Sequence, residues 1–265
     1  MKESLYKLKR RIGFLYAELG LAAGRGLIAK AISAKIGRPV KLARLFKGSG
    51  WGLKYLVYEQ GESSPAYLVK TASLIIERRL QRVIGREYLT YRERFKMESE
   101  VLSSLARIGL GPCVILCEKD FFVREFLPGF SLIELPLPDI KKWLPKVLES
   151  IDRFCDSGVF HTDPNSANVI VNPGENKIGF IDSEIPAPGS DKIVPERTKR
   201  AFCHERLLYS LGRDLRKKAG FKPELLEMLF PPVNDYYNQS AGSILSPGRA
   251  IDLVKGRVIQ IEIPA

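Results

Sequence analysis

The 265 residues are 45% apolar and 27% charged, an ordinary globular balance with length enough for one large domain or two lobes, and nothing in it points to disorder. The formal charge is +12, but residues 1–47 set twelve Lys or Arg against Glu3 and Glu18 and so hold +10 of it. A basic excess confined to one end, without aromatic residues interleaved in a binding motif, argues against a nucleic-acid-binding fold.

The N-terminal segment reads as helical from Lys7 to Ile36, with Ile12, Leu15, Leu19, Leu27, Ile28 and Ile32 at three- and four-residue steps and a break near Gly20, Gly24 and Gly26. Glu18 and Arg25 interrupt its apolar run, so it falls short of the roughly 20 residues a membrane span needs. It also lacks the continuous apolar segment of a secretory signal. Two roles fit this basic extension, residues 1–39: a cap on the domain that follows, or a surface for an anionic membrane face through residues 1–38.

Short strand-like runs begin at Val40: Lys41 to Phe46, Leu53 to Glu59 and Ala66 to Thr71. A helix follows over Arg92 to Ile108, closed by Gly109, Gly111 and Pro112, and then two further strands, Cys113 to Cys117 and Phe121 to Phe126. Beyond Gly129 the chain turns helical at Pro138 to Ser157, Glu196 to Gly212 and Pro223 to Phe230. A strand pair, Val169 to Val171 and Ile178 to Ile181, interrupts those helices across the turn Asn172 to Asn176. Cys113, Cys117, Cys155 and Cys203 show no CxxC spacing and only His161 and His204 could join them, a poor zinc or disulfide inventory that fits a cytoplasmic protein.

The chemistry concentrates in HTDPNSANVIVN, residues 161–172, and GFIDSE, residues 179–184. Moving a phosphoryl group needs a carboxylate to orient the attacking hydroxyl and oxygen ligands to hold Mg²⁺ on the phosphates. Asp163 suits the first task, and Asn168 and Asp182 the second. Upstream, Lys70 ends the strand AYLVK, and Glu98 opens ESEVLSSL with Leu102 and Leu105 at its fourth and seventh following positions, on a helix face from which it can pair with Lys70.

These residues resemble the protein-kinase-like superfamily, whose catalytic loop reads HRD, four residues, Asn, and whose metal-binding segment reads DFG. His161, Asp163 and Asn168 match in place; Thr162 replaces the Arg, and Ser183 and Glu184 replace the Phe and Gly. The resemblance spans residues 40–185 and implies an α+β bilobal fold. Its N-lobe, residues 40–127, is a five-stranded antiparallel sheet with one main helix, and its C-lobe, residues 128–265, is reduced and mostly helical. It implies transfer of the γ-phosphoryl of ATP with Mg²⁺ or Mn²⁺, Asp163 and Lys70 being the catalytic residues and Asn168 and Asp182 the metal ligands. Gly48, Ser49, Gly50 and Gly52 of GSGWG would cover the phosphates, with Trp51 at the tip of that loop. Lys70 and Glu98 would anchor the α- and β-phosphates, and Glu125, Phe126 and Leu127 would meet the adenine edge. Arg124 stands where relatives place an uncharged gatekeeper, so its side chain either points away from that pocket or makes base recognition unusual.

After Asp182 only a weak echo of APE, Val194 to Glu196, closes the segment, and the tail is short for a peptide-binding lobe. The pattern is most similar to bacterial lipopolysaccharide-core sugar kinases and more distantly to UbiB-type atypical kinases, though the KxGQ motif of the latter is missing. The expected acceptor is therefore a hydroxyl of a sugar or lipid-linked sugar. The alternatives are an atypical protein Ser/Thr kinase and a nucleotide-binding pseudokinase. A basic cluster, Arg78, Arg79, Arg82, Arg86, Arg92 and Arg94, fits either an anionic acceptor or a solvated helix face balanced by Glu77, Glu87 and Glu93. His161 is expected to brace the loop rather than move protons, and His204 to be an ordinary surface or partly buried residue.

Overall fold

The computed structural model describes residues 24–45, 53–72, 90–183, 196–218, 221–239 and 245–256. The chain divides into two compact units, residues 1–100 with 113–126 and residues 101–112 with 127–265.

The first unit is built on one antiparallel sheet of β1 (Val40–Leu45), β2 (Leu53–Glu59), β3 (Tyr67–Thr71), β4 (Val114–Cys117) and β5 (Phe121–Glu125), in the order β1-β2-β3-β5-β4. Period-two alternation along β2 sends Leu53, Tyr55 and Val57 to one face, where they join Val69 and Val123 in a buried cluster. Ile28 and Ile32 of helix α1, residues 24–36, complete that cluster. Burial is worth roughly 1.5–3 kcal/mol for each such side chain, so α1 is part of this unit's core. Of the two roles for the basic extension, this packing supports the cap; Lys30 and Lys35 lie on its exposed side. On the other face, Lys70 and Phe122 oppose one another across β3 and β5. Phe122 stacks on Phe95 of helix α2 (Tyr91–Arg107), ring centroids 6.0 Å apart.

Helix α2 starts at a capping box. The Glu93 carboxylate accepts from Thr90 N at 2.8 Å, and Glu93 N donates to Thr90 Oγ1 at 3.3 Å. It ends where Gly109 takes a positive φ of 71° and Leu110 N donates back to Leu105 O at 2.9 Å.

In the second unit, β6 (Phe130–Ser131), β7 (Val169–Asn172) and β8 (Lys177–Phe180) form a small antiparallel sheet in chain order. The unit also holds helices α3 (Leu137–Asp156), α4 (Glu196–Arg216), α5 (Phe230–Gln239) and α6 (Pro247–Lys255). Ile140, Leu144, Val147, Ile151 and Phe154 make the buried stripe of α3 at helical spacing. A Cβ at Gly212 would collide with Val254 O, so glycine there is what lets α4 and α6 touch.

Three strands, a helix, two more strands and then a mostly helical unit make this an α+β fold, in the element order expected from the sequence. The last helices differ from the sequence reading. Pro223–Leu229 is a 3₁₀ segment, and a true helix begins only at Phe230. Pro231 and Pro232 sit in its first turn, where their missing N–H groups cost no helical hydrogen bond. The two-residue strand β6 was not expected; so short a segment carries no periodicity.

Candidate functional site

In the first unit, the antiparallel register puts Lys70 near the end of β3, on the face covered by α2. Glu98 is two turns into that helix. Lys70 Nζ lies 2.6 Å from Glu98 Oε1, with side chains 12% and 8% exposed. An ammonium and a carboxylate so far removed from water need each other, because either alone would be a buried uncompensated charge.

The second unit holds Asp163, Asn168 and Asp182 within one hydrogen-bond network. Asp163 to Asn168 forms a tight loop, in which Asn165 N donates to Asp163 O at 2.8 Å and Asn168 N to Asn165 O at 2.9 Å. The Asn165 side chain bridges it: Nδ2 donates to Asp163 Oδ2 at 2.7 Å while Oδ1 accepts from Ala167 N at 2.9 Å and Asn168 N at 3.1 Å. Asn168 Nδ2 reaches Asp163 O at 3.0 Å, Asp163 Oδ2 at 3.2 Å and Asp182 O at 3.3 Å. With its amide nitrogen so committed, the oxygen of Asn168 is the atom suited to a cation.

His161 couples the same two segments. Its Nδ1 accepts from Asp163 N at 3.2 Å, which leaves the proton on Nε2 to be donated to Ile181 O at 3.2 Å. The ring is fully buried between Phe154 and Phe180. Asp182 adopts a positive φ of 56°, a backbone state that a non-glycine residue holds only where its surroundings impose it. The departures from the family pattern meet each other: Thr162 Oγ1 and Ser183 Oγ lie 3.4 Å apart.

An amide oxygen and a carboxylate are the hard donors Mg²⁺ takes, and one or two such side chains plus phosphate oxygens make up its usual protein site. The Asn168 and Asp182 pair therefore fits the metal. Among the described residues no group of three His, Cys, Asp or Glu side chains could hold a metal by itself.

The segment expected to meet adenine is tied into its own unit by backbone hydrogen bonds. Glu125 N donates to Cys113 O and Phe126 N to Ala66 O, both at 2.9 Å, and the Glu125 carbonyl already accepts from Arg124 Nη1 at 3.0 Å. Arg124 is buried, and its side chain turns back onto its own backbone strand. Glu125 Oε2 accepts from Cys113 N at 2.9 Å. Gly48, Ser49, Gly50, Gly52 and Trp51 lie outside the described residues, as do Arg78, Arg79, Arg82 and Arg86.

Helix α4 supplies what sequence reading missed. Arg206, Ser210 and Asp214 recur every four residues and form one stripe along the helix. Arg206 Nε donates to Asp163 Oδ1 at 3.0 Å and its Nη2 lies 2.9 Å from the same oxygen. Ser210 Oγ accepts from Ser166 N at 2.9 Å, and Asp214 Oδ2 from Ser166 Oγ at 3.1 Å. The four-residue spacing was visible, but nothing local says which loop the stripe grips.

The same helix also carries His204, which is buried and not the surface or partly buried residue expected. Its Nδ1 accepts from Tyr237 Oη at 2.7 Å and its Nε2 donates to Asp152 Oδ1 at 3.0 Å; Tyr236 Oη donates to Asp152 Oδ2. Burial pushes the Asp152 carboxyl up, but the hydrogen bonds from His204 and Tyr236 outweigh it and hold the group below its ordinary value. Burial and the hydrogen bond to Asp152 raise Tyr236, and burial raises Tyr237 well above the usual phenol range.

No family model and no curated protein matches this chain. Among solved structures, the Mycobacterium tuberculosis PknI kinase domain is similar at a TM-score of 0.47 and 17% identity, covering 83% of this chain and 96% of that one. A single-residue mutant of that domain gives the same TM-score and identity over 81% of this chain and 94% of that one. Among the described residues no helix is long and apolar enough to cross a membrane.

Proposed function

We propose that this chain is an ATP-dependent phosphotransferase that moves the γ-phosphoryl group to a hydroxyl of a sugar or lipid-linked sugar, in the manner of lipopolysaccharide-core kinases. The observation that carries the proposal is the network in which Asn168 ties Asp163 to the Asp182 backbone, with His161 bridging the same two segments. Asp163 takes the proton of the acceptor hydroxyl as its oxygen bonds to the γ-phosphorus and the bond to the β,γ-bridging oxygen breaks, releasing ADP. By the resemblance, Lys70, held by Glu98, would anchor the α- and β-phosphates, and Gly48, Ser49, Gly50 and Gly52 would serve to cover them. Asn168 and Asp182 would hold Mg²⁺ or Mn²⁺, which when bound neutralises charge on the phosphates. The likeness of DPNSANVIV and the IDSE segment to the sugar-kinase pattern favours a small acceptor over a protein substrate.

A second reading, a nucleotide-binding pseudokinase, is favoured by the departure from DFG, Ser183 and Glu184 standing where the pattern has Phe and Gly. Labelled ATP offered with sugars, lipid extracts and generic protein substrates separates the readings. Transfer to a sugar-containing acceptor supports the proposal, transfer only to protein supports an atypical protein kinase, and nucleotide binding without transfer supports the pseudokinase. Calorimetry on Asp182→Ala adds a second check: Mg²⁺-dependent nucleotide binding is expected to weaken, and an unchanged titration contradicts the metal assignment.

A further inference from the structure

Asp163 is a crowded base. An ionised carboxylate offers about four lone-pair sites. Four nitrogens surround this one: Asn165 Nδ2 at 2.7 Å and Asn168 Nδ2 at 3.2 Å on Oδ2, and Arg206 Nε at 3.0 Å and Nη2 at 2.9 Å on Oδ1. An acceptor hydroxyl must hydrogen-bond to one of these oxygens before it can give up its proton, so one donor has to leave. The two amides are poor candidates. Asn165 also caps Ala167 N and Asn168 N, and Asn168 is buried with two backbone carbonyls on the same nitrogen. Arg206 differs. Its side chain is 36% exposed, against 13% for Asp163, and a long flexible stem joins it to a helix outside the loop.

We propose that Arg206 is a latch on Asp163 that opens for an acceptor carrying an anionic group, phosphate or carboxylate, beside the hydroxyl to be phosphorylated. The guanidinium swings from Oδ1 to that anion in a charge-assisted, bidentate contact, and the freed oxygen receives the hydroxyl. Neutral acceptors and water give the arginine no new partner and leave the base closed. Arg206 thus acts through Asp163 as a positioning and specificity-determining residue. This deepens the phosphotransferase reading and rests on it.

The test is Mg²⁺-ATP hydrolysis by the full chain, with water as a neutral acceptor, in wild type, Arg206→Ala, Arg206→Lys and Asp163→Ala. Melting temperature and nucleotide affinity serve as controls for folding. Arg206→Ala is expected to hydrolyse ATP three- to tenfold faster than wild type, with Arg206→Lys between them because a lysine covers Oδ1 less completely. Sodium sulfate, compared with sodium chloride at equal ionic strength, is expected to raise the wild-type rate and leave Arg206→Ala unmoved. A rate in folded Arg206→Ala equal to or below wild type overturns the latch, as does its failure to hydrolyse ATP. A wild-type rate indifferent to sulfate overturns the anion release. The phosphotransferase reading fails separately, by Asp163→Ala turning over as fast as wild type.

Discussion

Two carboxylates in the second unit are gripped by the same helix and put to different uses. Asp152 meets α4 through His204 and Arg200, with Tyr236 of α5 on its second oxygen; His204 is buried against the aromatic rings of Tyr236 and Tyr237. Asp163 is hydrogen-bonded to α4 through Arg206, and its other side-chain hydrogen bonds come from its own loop. The first carboxylate, itself 27% exposed, is held by a buried histidine; the second, 13% exposed, is held by a half-exposed guanidinium. One helix thus holds two carboxylates in different ways, and the burial of the partner side chain distinguishes them.

The contrast predicts opposite mutational signatures. Asp152→Ala strands the buried His204 Nε2–H and the Tyr236 hydroxyl. Each buried donor left unpaired costs about 1–3 kcal/mol. At roughly 2–4 °C per kcal/mol, the melting temperature is expected to fall by several degrees with kcat unchanged below the transition. A kcat loss at constant stability would instead tie Asp152 to catalysis. Asp163→Ala should leave melting within about 2 °C, because Asn168 keeps its two carbonyl partners and Arg206 turns to water; calorimetric scanning checks both proteins.

Acid sharpens the same comparison. The folded-state pKa of Asp152 is depressed, so its contribution to stability is present above the ordinary carboxylate value near 4 and is lost as pH falls through the folded value. Urea midpoints between pH 3 and 6 should drop less steeply at the acid end in Asp152→Asn than in wild type. Parallel acid limbs would remove Asp152 from the acid response. A smaller effect is expected at the α4 stripe. Ser210→Ala deprives Ser166 N of its acceptor, about 1 kcal/mol, and should slow turnover a few-fold with nucleotide affinity intact. The smallest change is at the adenine segment, where Arg124→Leu frees the Glu125 carbonyl. One hydrogen bond of roughly 0.5–1.5 kcal/mol should tighten adenine nucleotides several-fold by calorimetry. Unchanged affinity would mean that this carbonyl does not meet the base.

The sequence made plain the features that are local. Strands β2 and β3 follow from alternation, α2 from its periodicity and the Gly109 stop, and Lys70, Glu98, Asp163, Asn168 and Asp182 from spacings inside two short segments and two elements. What escaped depends on tertiary contact. Arg206 looks like one more basic residue on a charged helix, and only its position against a loop more than forty residues away makes it a partner of Asp163. Nothing local names a partner for His204, which reads as a surface or partly buried residue, yet Asp152 and Tyr237, far from it in sequence, satisfy both ring nitrogens and so allow its burial. The extension was ambiguous for the complementary reason: its apolar spacing fits a cap and its charge fits a membrane, and the burial of Ile28 and Ile32 against the sheet was needed to weigh them.

The central claim is that Asp163 is the base of a phosphotransferase. Phosphoryl transfer and nucleotide binding, measured side by side on wild type and Asp163→Ala with labelled Mg²⁺-ATP and the best acceptor from the screen, test it most directly. Loss of general-base assistance is expected to lower transfer by about 10²–10⁴-fold while the nucleotide dissociation constant stays within a factor of two. Transfer at the wild-type rate in the substituted protein would contradict the account.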